Sequence, residues 1–416
     1  MEIVNKRTLD EIDSVLEFAK LGRDEIKSVT QSIYFSEQLD SEGIKLLELD
    51  TAVLTALENG ERVIIRGDKE DSAVLCTESE TFEVKLGEVS NALLIVPDMT
   101  LGSELTDTLL PSIQYQQVNS VMHTFYELRK MKPRLQKLRS LLEENPYAGQ
   151  AAEGDVDHQG TKYTFNELLN LVQGSEREIK IALEKMQAIV IDGYWRVLDF
   201  DFLVQVMSHL LQLCDENSWL DQGIPIQECL SVLQDIFPRT VIEHVLKNFA
   251  DKITPATGKD DDEKHMQIDI DYYRLNEDKV CRFFAEQILK HARKFNLSQF
   301  LSTWEKSVPD GMKTSVSQLE GIALIDRDSN PEVISYMTVD TLPEEISERF
   351  NHLFRIREKW SLPEITPYIK DLTTDKMDVT AMLTKSFKNT QYWFSSGNGL
   401  GDCFCNLKDF DAIVLI

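Results

Sequence analysis

Short apolar runs separated by turn residues dominate the first hundred positions of the chain, which is the pattern of β-strands joined by tight turns. The clearest case lies at 62–77, where the β-branched run RVIIR and the run AVLCT flank Gly67 and Asp68. Gly67 tolerates a positive φ and Asp68 can bond its own backbone, so this stretch predicts a hairpin. The same pattern predicts further strands at 43–49, 81–86 and 92–96, a turn at Gly87, and helices at 9–21 and 51–59.

Consecutive strands on tight turns predict an antiparallel β-meander in this region. The meander is too short to close a barrel on its own, and its edge strands need to be covered. Two interpretations remain open. The sheet is closed by its own helix, or strands of a partner chain complete a barrel.

The hydrophobic period changes after an irregular stretch at 144–160. Residues 163–173 form an amphipathic pattern that stops at Gly174, and Ser175 with Glu178 predicts a capping box for the next helix. Two apolar runs around Asp192-Gly193 then predict a hairpin. Helix, turn, helix and hairpin together predict a winged-helix module.

This outline recurs imperfectly along the rest of the chain, which predicts a tandem array of small modules. The repeats pair helices at 226–237 and 239–250, at 297–308 and 314–324, and at 362–372 and 376–391. Strands follow them at 268–278, 332–342 and 403–407. The predicted fold class is therefore α+β, an N-terminal meander or partial barrel followed by winged-helix modules. The predicted domains are 1–113, 114–200, 201–278, 279–343 and 344–416.

Composition restricts the compartment and the partners. The 416 residues carry a formal net charge of −27, and residues 1–110 hold ten Lys and Arg against twenty-four Asp and Glu. Charged residues recur through the first twenty positions, so no apolar signal-peptide region is present there. No apolar run is long enough for a membrane span, and the six cysteines show no disulfide framework. We expect an intracellular protein. The tripeptide Arg66-Gly67-Asp68, which extracellular adhesion proteins display to integrins, is therefore interpreted here as part of a turn and not as an adhesion motif.

No local constellation predicts catalysis, a cofactor or a metal. The stretch around Gly258-Lys259 lacks the first glycine and the final hydroxyl residue of a phosphate-binding loop, since Ile253 and Asp260 stand there. Cys403 and Cys405 lack the other ligands of a closed zinc site. The acidic stretch 251–265 lacks the ligand spacing of a calcium loop. We expect a protein that is not an enzyme.

Clusters of basic residues are the sequence feature that indicates a binding function. Residues 129–139 hold six Lys and Arg and no acid, and their pattern predicts about three helical turns kinked at Pro133. Such a cluster either contacts phosphates or is a solvated face. The last module offers a second candidate DNA-binding set. It places three basic residues on the first helix and three on the would-be recognition helix: Arg355, Arg357, Lys359, Lys376, Lys385 and Lys388.

The chain resembles a known family over nearly its whole length. The stretch LLELD…VIIRGDKEDSAVLCTESETFEVK, within 43–100, and the stretch 165–199 are similar to the Dcc family of sister chromatid cohesion proteins. Those proteins are accessory subunits of an alternative clamp loader built on replication factor C. The acidic insertion at 254–265 and the apolar end, 412–416, depart from that pattern.

The resemblance implies specific partners and a nuclear location. It implies that the N-terminal strands join the small accessory subunit and the tail of the large loader subunit in shared β-barrels. It also implies docking on the catalytic subunit of DNA polymerase epsilon, DNA contact by the later modules, and an ATPase in other subunits. The strand residues expected to contact the partners are Val63, Ile64, Ile65, Val74, Leu75, Leu93, Leu94 and Ile95.

Two functions remain open. One is a non-catalytic clamp-loader subunit that binds the polymerase and DNA. The other is a winged-helix transcription or chromatin scaffold without a clamp-loader role. The acidic meander separates them, because a transcription factor has no need of an incomplete barrel.

Overall fold

The protein is a mixed α/β chain with several small sheets, seen here in a computed structural model. The chain divides into two compact units, the first Met1–Pro133 with Gly174–Arg177 and the second Arg134–Gln173 with Glu178–Ile416. No helix in the described part is long and apolar enough to cross a bilayer. The structure describes residues 8–20, 29–37, 39, 43–69, 71–101, 112–154, 160–253, 271–292, 294–374, 377–386 and 405–406.

The first unit is built mainly of strands. Its helices are α1 (Leu9–Ala19) and α2 (Thr51–Glu58). Its strands are β1 (Val29–Phe35), β2 (Ile64–Arg66), β3 (Val74–Cys76), β4 (Thr81–Ile95), β5 (Ser112–Val118) and β6 (Ser120–Met131). The sheet β2-β3-β4-β6 is antiparallel throughout, whereas β1 and β5 form a separate parallel pair.

The hairpin predicted at 62–77 is confirmed, since β2 and β3 pair antiparallel with Ile65 opposite Leu75. The predicted helix at 51–59 is confirmed as α2, which Asp50 caps by accepting a hydrogen bond from Ala52 N. The predicted helix at 9–21 is α1, which carries a capping box between Thr8 and Glu11. Local chemistry therefore determines these three elements.

The strand predicted at 43–49 and the turn predicted at Gly87 were wrong, whereas the strand structure predicted at 81–86 and 92–96 is present. Residues 43–49 form no strand, only an isolated bridge between Leu47 and Tyr126. The two strands predicted at 81–86 and 92–96 are one strand, β4, whose pairing with β6 shifts register between Glu88 and Leu93. Gly87 is no turn. A Cβ there would lie 3.0 Å from the ring of Phe125, so glycine leaves room for that ring on the sheet.

Four repeats of one order of elements follow: a helix, a short strand or bridge, two helical segments, and two strands, of which the last repeat has one within the described residues. The elements are α3 (Gln136–Glu143), α4 (Phe165–Leu171), α5 (Glu176–Lys185), β7 (Ile189–Ile191), β8 (Tyr194–Arg196), α6 (Phe200–Glu216), α7 (Trp219–Gln222), β9 (Ile224–Pro225), α8 (Ile226–Leu233), α9 (Arg239–Phe249), β10 (Ala250–Ile253), β11 (Tyr272–Leu275), α10 (Glu277–Ala292), β12 (Lys294–Asn296), α11 (Leu297–Ser307), β13 (Ala323–Asp326), β14 (Val333–Tyr336), α12 (Ile346–Ile356), β15 (Lys359–Trp360), α13 (Leu362–Ile369), α14 (Val379–Ser386) and β16 (Cys405–Asn406).

The repeats share sheet topology as well as order. In the second repeat the strands lie in the order β10-β11-β9, and in the third β12-β14-β13, so the last strand is central in both. In the first repeat an isolated bridge between Tyr163 and Trp195 stands in place of the first strand. The hairpin predicted around Asp192-Gly193 is confirmed, with φ of +52° and +85° at the two turn residues. Positive φ at both positions is the geometry of a type I′ turn.

Two helix predictions in these repeats were wrong. Residues 129–139 are not one helix, because β6 continues to Met131 and α3 begins at Gln136, with Pro133 in the connection. Residues 314–324 form only a 3₁₀ turn over Val316–Leu319 before β13. The buried Gln318 ties that turn to α10 through a 2.8 Å hydrogen bond to Asp278, and this contact outweighs helix propensity.

Buried arginines hold helices of the second unit together. Arg349 on α12 is 2% exposed, and its Nη1 donates to both carboxylate oxygens of Asp371 at 2.7 and 2.8 Å. The same Nη1 donates to the carbonyl of Tyr368, while Nε donates to the carbonyl of Pro343. This one side chain therefore connects α12 to the C-terminal end of α13 and to the segment that precedes α12.

We predict that Arg349→Leu lowers the free energy of unfolding by about 3 kcal/mol, because it leaves Asp371 and two carbonyls without their donor. The matched control is Arg355→Leu on the same helix, where the side chain is exposed and the change stays within about 0.5 kcal/mol. Denaturant titration of both variants followed by circular dichroism measures the difference. Equal effects of the two substitutions would contradict this role.

Candidate interaction surfaces

The first unit exposes most of the large apolar side chains found at the surface. Among the described residues, seventeen of the twenty-five exposed large hydrophobics precede residue 134. Its internal core is small, with Val53, Leu75 and Phe82 forming the only buried cluster of that unit in the described part. A surface of this kind marks an interaction site in a soluble protein.

The exposed apolar residues lie on several elements of the unit. We call this set the apolar surface. On the two-stranded sheet β1–β5 the neighbouring residues Ile33, Tyr34 and Phe35 of β1 are all exposed, so β1 is uncovered on both faces, whereas Gln116 and Val118 of β5 are buried. Parallel strands are normally buried on both faces. The members with the largest exposure are Phe18, Tyr115, Ile65, Leu86, Phe35 and Leu101.

The residues predicted to contact partners divide into three groups. Ile65, Leu93 and Leu94 are exposed, with Ile65 at 65%. Three others are partly buried: Val63, Ile64 and Ile95.

The third group consists of Val74 and Leu75 on β3, which are 0% and 2% exposed. Both side chains belong to the unit's own core and do not reach a surface that another chain could contact. We therefore leave them out of the apolar surface.

The Arg66-Gly67-Asp68 tripeptide lies at the end of β2 and in the connection to β3. The Arg66 guanidinium donates through Nη1 to the carbonyl of Gly174 at 2.7 Å. Burial lowers the pKa of Arg66. The amide of Asp71 donates to the carbonyl of Asp68, and this bond shapes the turn. Arg66 thus fastens the segment 174–177 to the first unit.

The predicted DNA-binding residues of the last repeat lie on different elements. Arg355 is exposed in the last turn of α12, as predicted for a first helix. Arg357 follows that helix and is engaged, since it donates to Glu364 at 2.8 Å and lies beside the Trp360 ring. Lys359 is exposed on β15 rather than on a helix.

The predicted recognition helix is present as α14, which ends at Ser386 and includes the backbone of Lys385. Lys376 and Lys388 lie outside the described residues. The acidic insertion at 254–265 and the apolar end at 412–416 also lie outside them. The cationic face predicted for this helix therefore stays a prediction.

The basic residues at 129–139 contact the protein's own acids. Arg129 pairs with Glu127 at 2.7 Å, Lys130 with Glu80 at 2.5 Å, and Arg139 with Asp340 at 2.7 Å. Arg134 donates to the side-chain oxygen of Gln173. Because these cations are engaged within the chain, the solvated-face reading of this cluster is the better one.

In the second repeat the helix equivalent to α14 is partly covered by the first repeat. His244 on α9 places Nε2 2.8 Å from the carbonyl of Gln187, and Asn248 contacts the same ring nitrogen. Burial lowers the pKa of His244. Arg239 is paired with Glu243 four residues on. The outer face of α9 is therefore engaged within the chain.

Side chains suited to chemistry are sparse. No group of three or more metal-ligating side chains occurs among the described residues. Burial raises the pKa of Cys214 and Cys229 to about 12, and that of Cys281 to about 11. Thiols with such values stay protonated and are poor nucleophiles. Cys403 lies outside the described residues, while Cys405 is part of β16.

Sequence reasoning missed the strands β1, β5 and β6 and so a large share of the apolar surface. A signal was present for β1, because VTQSIYF is rich in β-branched and aromatic residues. Its parallel partner β5 lies about eighty positions further along the chain, with Val29 opposite Ser112. No local pattern specifies that pairing.

Comparison with known proteins gives a consistent family. The family model described as sister chromatid cohesion protein Dcc1 matches residues 44–369. The chain is 40% identical over 385 residues to sister chromatid cohesion protein DCC1 of Danio rerio, covering 92% of this chain and 96% of that one. It is 39% identical over 384 residues to the Homo sapiens protein of the same name, covering 91% and 95%. For the Saccharomyces cerevisiae protein the identity is 24% over 341 residues, covering 76% and 85%.

We predict that Arg66→Ala lowers the free energy of unfolding by about 1–2 kcal/mol, because the buried carbonyl of Gly174 loses a charged donor. Lys69→Ala in the same turn is the control, since Lys69 is exposed, and we expect a change within about 0.5 kcal/mol. Denaturant titration provides the comparison. An unchanged stability of the Arg66 variant would show that the tripeptide does not hold the unit together.

We also predict that Cys214 and Cys229 resist alkylation in the folded chain. With a pKa of about 12, only about one thiol in ten thousand is ionised at pH 8, against roughly a quarter for a free cysteine. Iodoacetamide labelling read by peptide mass spectrometry should be at least about a hundredfold slower in buffer than in denaturant. Fast labelling of either residue in the native protein would reveal an accessible, reactive thiol.

Proposed function

The chain belongs to the Dcc1 family of sister chromatid cohesion proteins, and from this membership we propose its function in cohesion. It acts in the nucleus as a non-catalytic subunit of an alternative clamp loader built on replication factor C. There it links the loader to the catalytic subunit of DNA polymerase epsilon and to DNA.

The observation that carries this proposal is the apolar surface of the first unit. The first unit has a core cluster of three residues, and β1 carries exposed residues on both of its faces, which supports completion of the unit by a partner chain. Fully burying one large apolar side chain contributes about 1.5–3 kcal/mol. Strands from the small and large accessory subunits would supply that cover and complete a barrel.

The repeated elements after residue 133 support an array of winged-helix modules. A helix, a strand, two helices and two strands is the order of that module, and the central position of the last strand in two repeats agrees with it. We propose four modules, which begin with α3, α6, α10 and α12. They give the subunit separate surfaces for the polymerase and for DNA.

The last module is the proposed DNA-binding module. In the second module the outer face of α9 is engaged by the first, and in the third the corresponding segment is a short 3₁₀ turn. The last module has a regular helix, α14, at that place, and exposed cations at Arg355 and Lys359. Contacts to the DNA backbone rather than to bases would give little sequence preference.

We predict that Ile65→Asp combined with Leu93→Asp and Leu94→Asp abolishes assembly with the two accessory subunits, because three charges would enter a buried interface. The control carries Val232→Asp and Ile236→Asp, which alter exposed apolar residues of the second unit. Co-expression with tagged small subunit and pull-down measures assembly. Normal assembly of the first variant would refute the shared barrel and favour a chromatin scaffold outside the clamp loader.

We predict that Lys385→Glu with Lys388→Glu weakens binding of the full chain to unrelated duplexes to a similar extent. Replacement of the same pair by Ala should flatten the slope of log affinity against log salt by up to about two units. Lys294→Glu with Lys306→Glu is the charge-matched control, because both of these lysines are exposed elsewhere. Fluorescence anisotropy at several salt concentrations gives the slopes. Unchanged affinity in the first pair would move DNA contact away from the last module.

A further inference from the structure

A cleft of about 700 Å³ lies in the second unit, and its described lining residues include none of the proposed DNA-binding residues and none of the apolar surface. Its walls come from the end of α5, the start of α6, the middle of α10, and the segments around Gly321, Val339 and Lys370. This volume is in the range of sites that hold a small ligand or a few residues of a peptide. Phe200 and Leu203 are half-buried and supply an apolar side of the cleft.

Of the cations that line this cleft, Arg139 is paired with Asp340, but others are not neutralised by described residues of the chain. Lys185, Arg282 and Lys370 make no ion pair with a carboxylate among the described residues. Lys279 has only a 3.8 Å approach to Asp251, between exposed side chains. In a protein of net charge −27, a concentration of unpaired cations in one cleft is contrary to the general balance.

Most acids of the cleft, in contrast, already have partners. Asp340 accepts from Arg139 at 2.7 Å, and Asp371 accepts from Arg349. Glu286 accepts from the Tyr336 hydroxyl at 2.9 Å and approaches Lys290. Glu320 is the exposed exception among the described lining residues. The local field in the cleft is therefore positive.

Arg282 is held in place within this cleft. Its Nη1 donates to the carbonyls of Gln318 at 3.0 Å and Glu320 at 2.7 Å, which fixes the guanidinium without neutralising it. Gly321 has a φ of +75°, and a Cβ there would lie 3.2 Å from Val339 and 4.0 Å from Arg282 Nη2. Glycine at this position keeps a side chain from extending beside Val339 and the outer nitrogen of Arg282. A fixed cation loses little freedom when it binds an anion.

We propose that this cleft binds an acidic peptide segment of a partner protein. Its carboxylates contact Lys185, Arg282 and Lys370, and its apolar side chains lie against Phe200 and Leu203. A peptide fits better than a nucleic acid because a cleft of about 700 Å³ holds a few residues rather than an extended phosphate backbone, and its few cations match a few carboxylates. The mixed apolar and cationic lining also matches a peptide that carries both kinds of side chain.

The test uses the full chain and a short fluorescein-labelled peptide in which glutamate and leucine alternate. Anisotropy at about 0.1 M salt measures binding, with the lysine-for-glutamate peptide and a single-stranded oligothymidylate as further probes. We expect the acidic peptide to bind the cleft saturably, and we expect neither the lysine-for-glutamate peptide nor the oligothymidylate to bind there. Lys185→Glu with Lys370→Glu should weaken it at least about tenfold, because each reversal removes an attraction and adds a repulsion.

The control pair Lys294→Glu with Lys306→Glu changes the net charge by the same amount on exposed lysines outside the cleft, and it should leave binding unchanged. Circular dichroism melting confirms that both pairs stay folded. Absence of saturable peptide binding up to about 100 μM protein would overturn the proposal. So would equal weakening by the two pairs, or an oligothymidylate affinity that falls only in the cleft pair, since that result assigns the cleft to nucleic acid.

Discussion

The constraint on which the first unit depends is that its buried core is small relative to its exposed apolar surface. The sheet β2-β3-β4-β6 packs Leu75 and Phe82 against Val53 of α2, and the other buried apolar residues of the unit are few. Many apolar residues on β1, β4 and β5 are exposed instead, such as Phe35, Leu86 and Tyr115. Covering the exposed residues is worth on the order of ten kcal/mol or more before the cost of association is subtracted. An apolar surface of this extent is typical of proteins that bind a partner.

The second unit, in contrast, buries many of its apolar residues in core clusters formed by its own repeats. Each of its repeats places a helix against a small sheet, and buried arginines satisfy the polar groups where segments meet. Arg196 donates to the carbonyls of Asn145 and Pro146 and pairs with Glu153, while Arg349 performs the equivalent role between α12 and Asp371. Such pairs contribute little net stability, because the cost of desolvating the charges offsets much of their attraction. Their main effect is to specify how the segments meet.

Local chemistry was readable in the sequence, and non-local pairing was not. The turns at Gly67 and at Asp192-Gly193 could be predicted from the sequence because few residues tolerate the positive φ angles found there. The pairing of β1 with β5 leaves no such local trace. Gly87 looked like a turn because its reason for being glycine, the ring of Phe125, lies on another strand.

The residues of the candidate sites could also be predicted only in part, because their exposure depends on non-local packing. Ile65 and Leu75 belong to adjacent apolar runs and face each other across a hairpin, yet one is 65% exposed and the other 2%. Which strand is covered depends on the helix packed behind the sheet, so the pattern could not separate a core residue from a contact residue. The cleft cations were harder still, because Lys185, Arg282 and Lys370 come from three distant segments.

Charge balance within the chain explains why its binding surfaces are few and local. Several cations in the described part that looked available from sequence are paired with internal acids, as Arg139 is with Asp340 and Arg357 is with Glu364. The chain as a whole is acidic, and the attraction of each remaining cation reaches only roughly one Debye length of 8–10 Å. Anionic partners can be held only where cations are unpaired and close together. In a strongly acidic chain that condition both restricts non-specific binding to DNA and makes each cationic site selective for the ligand that reaches it.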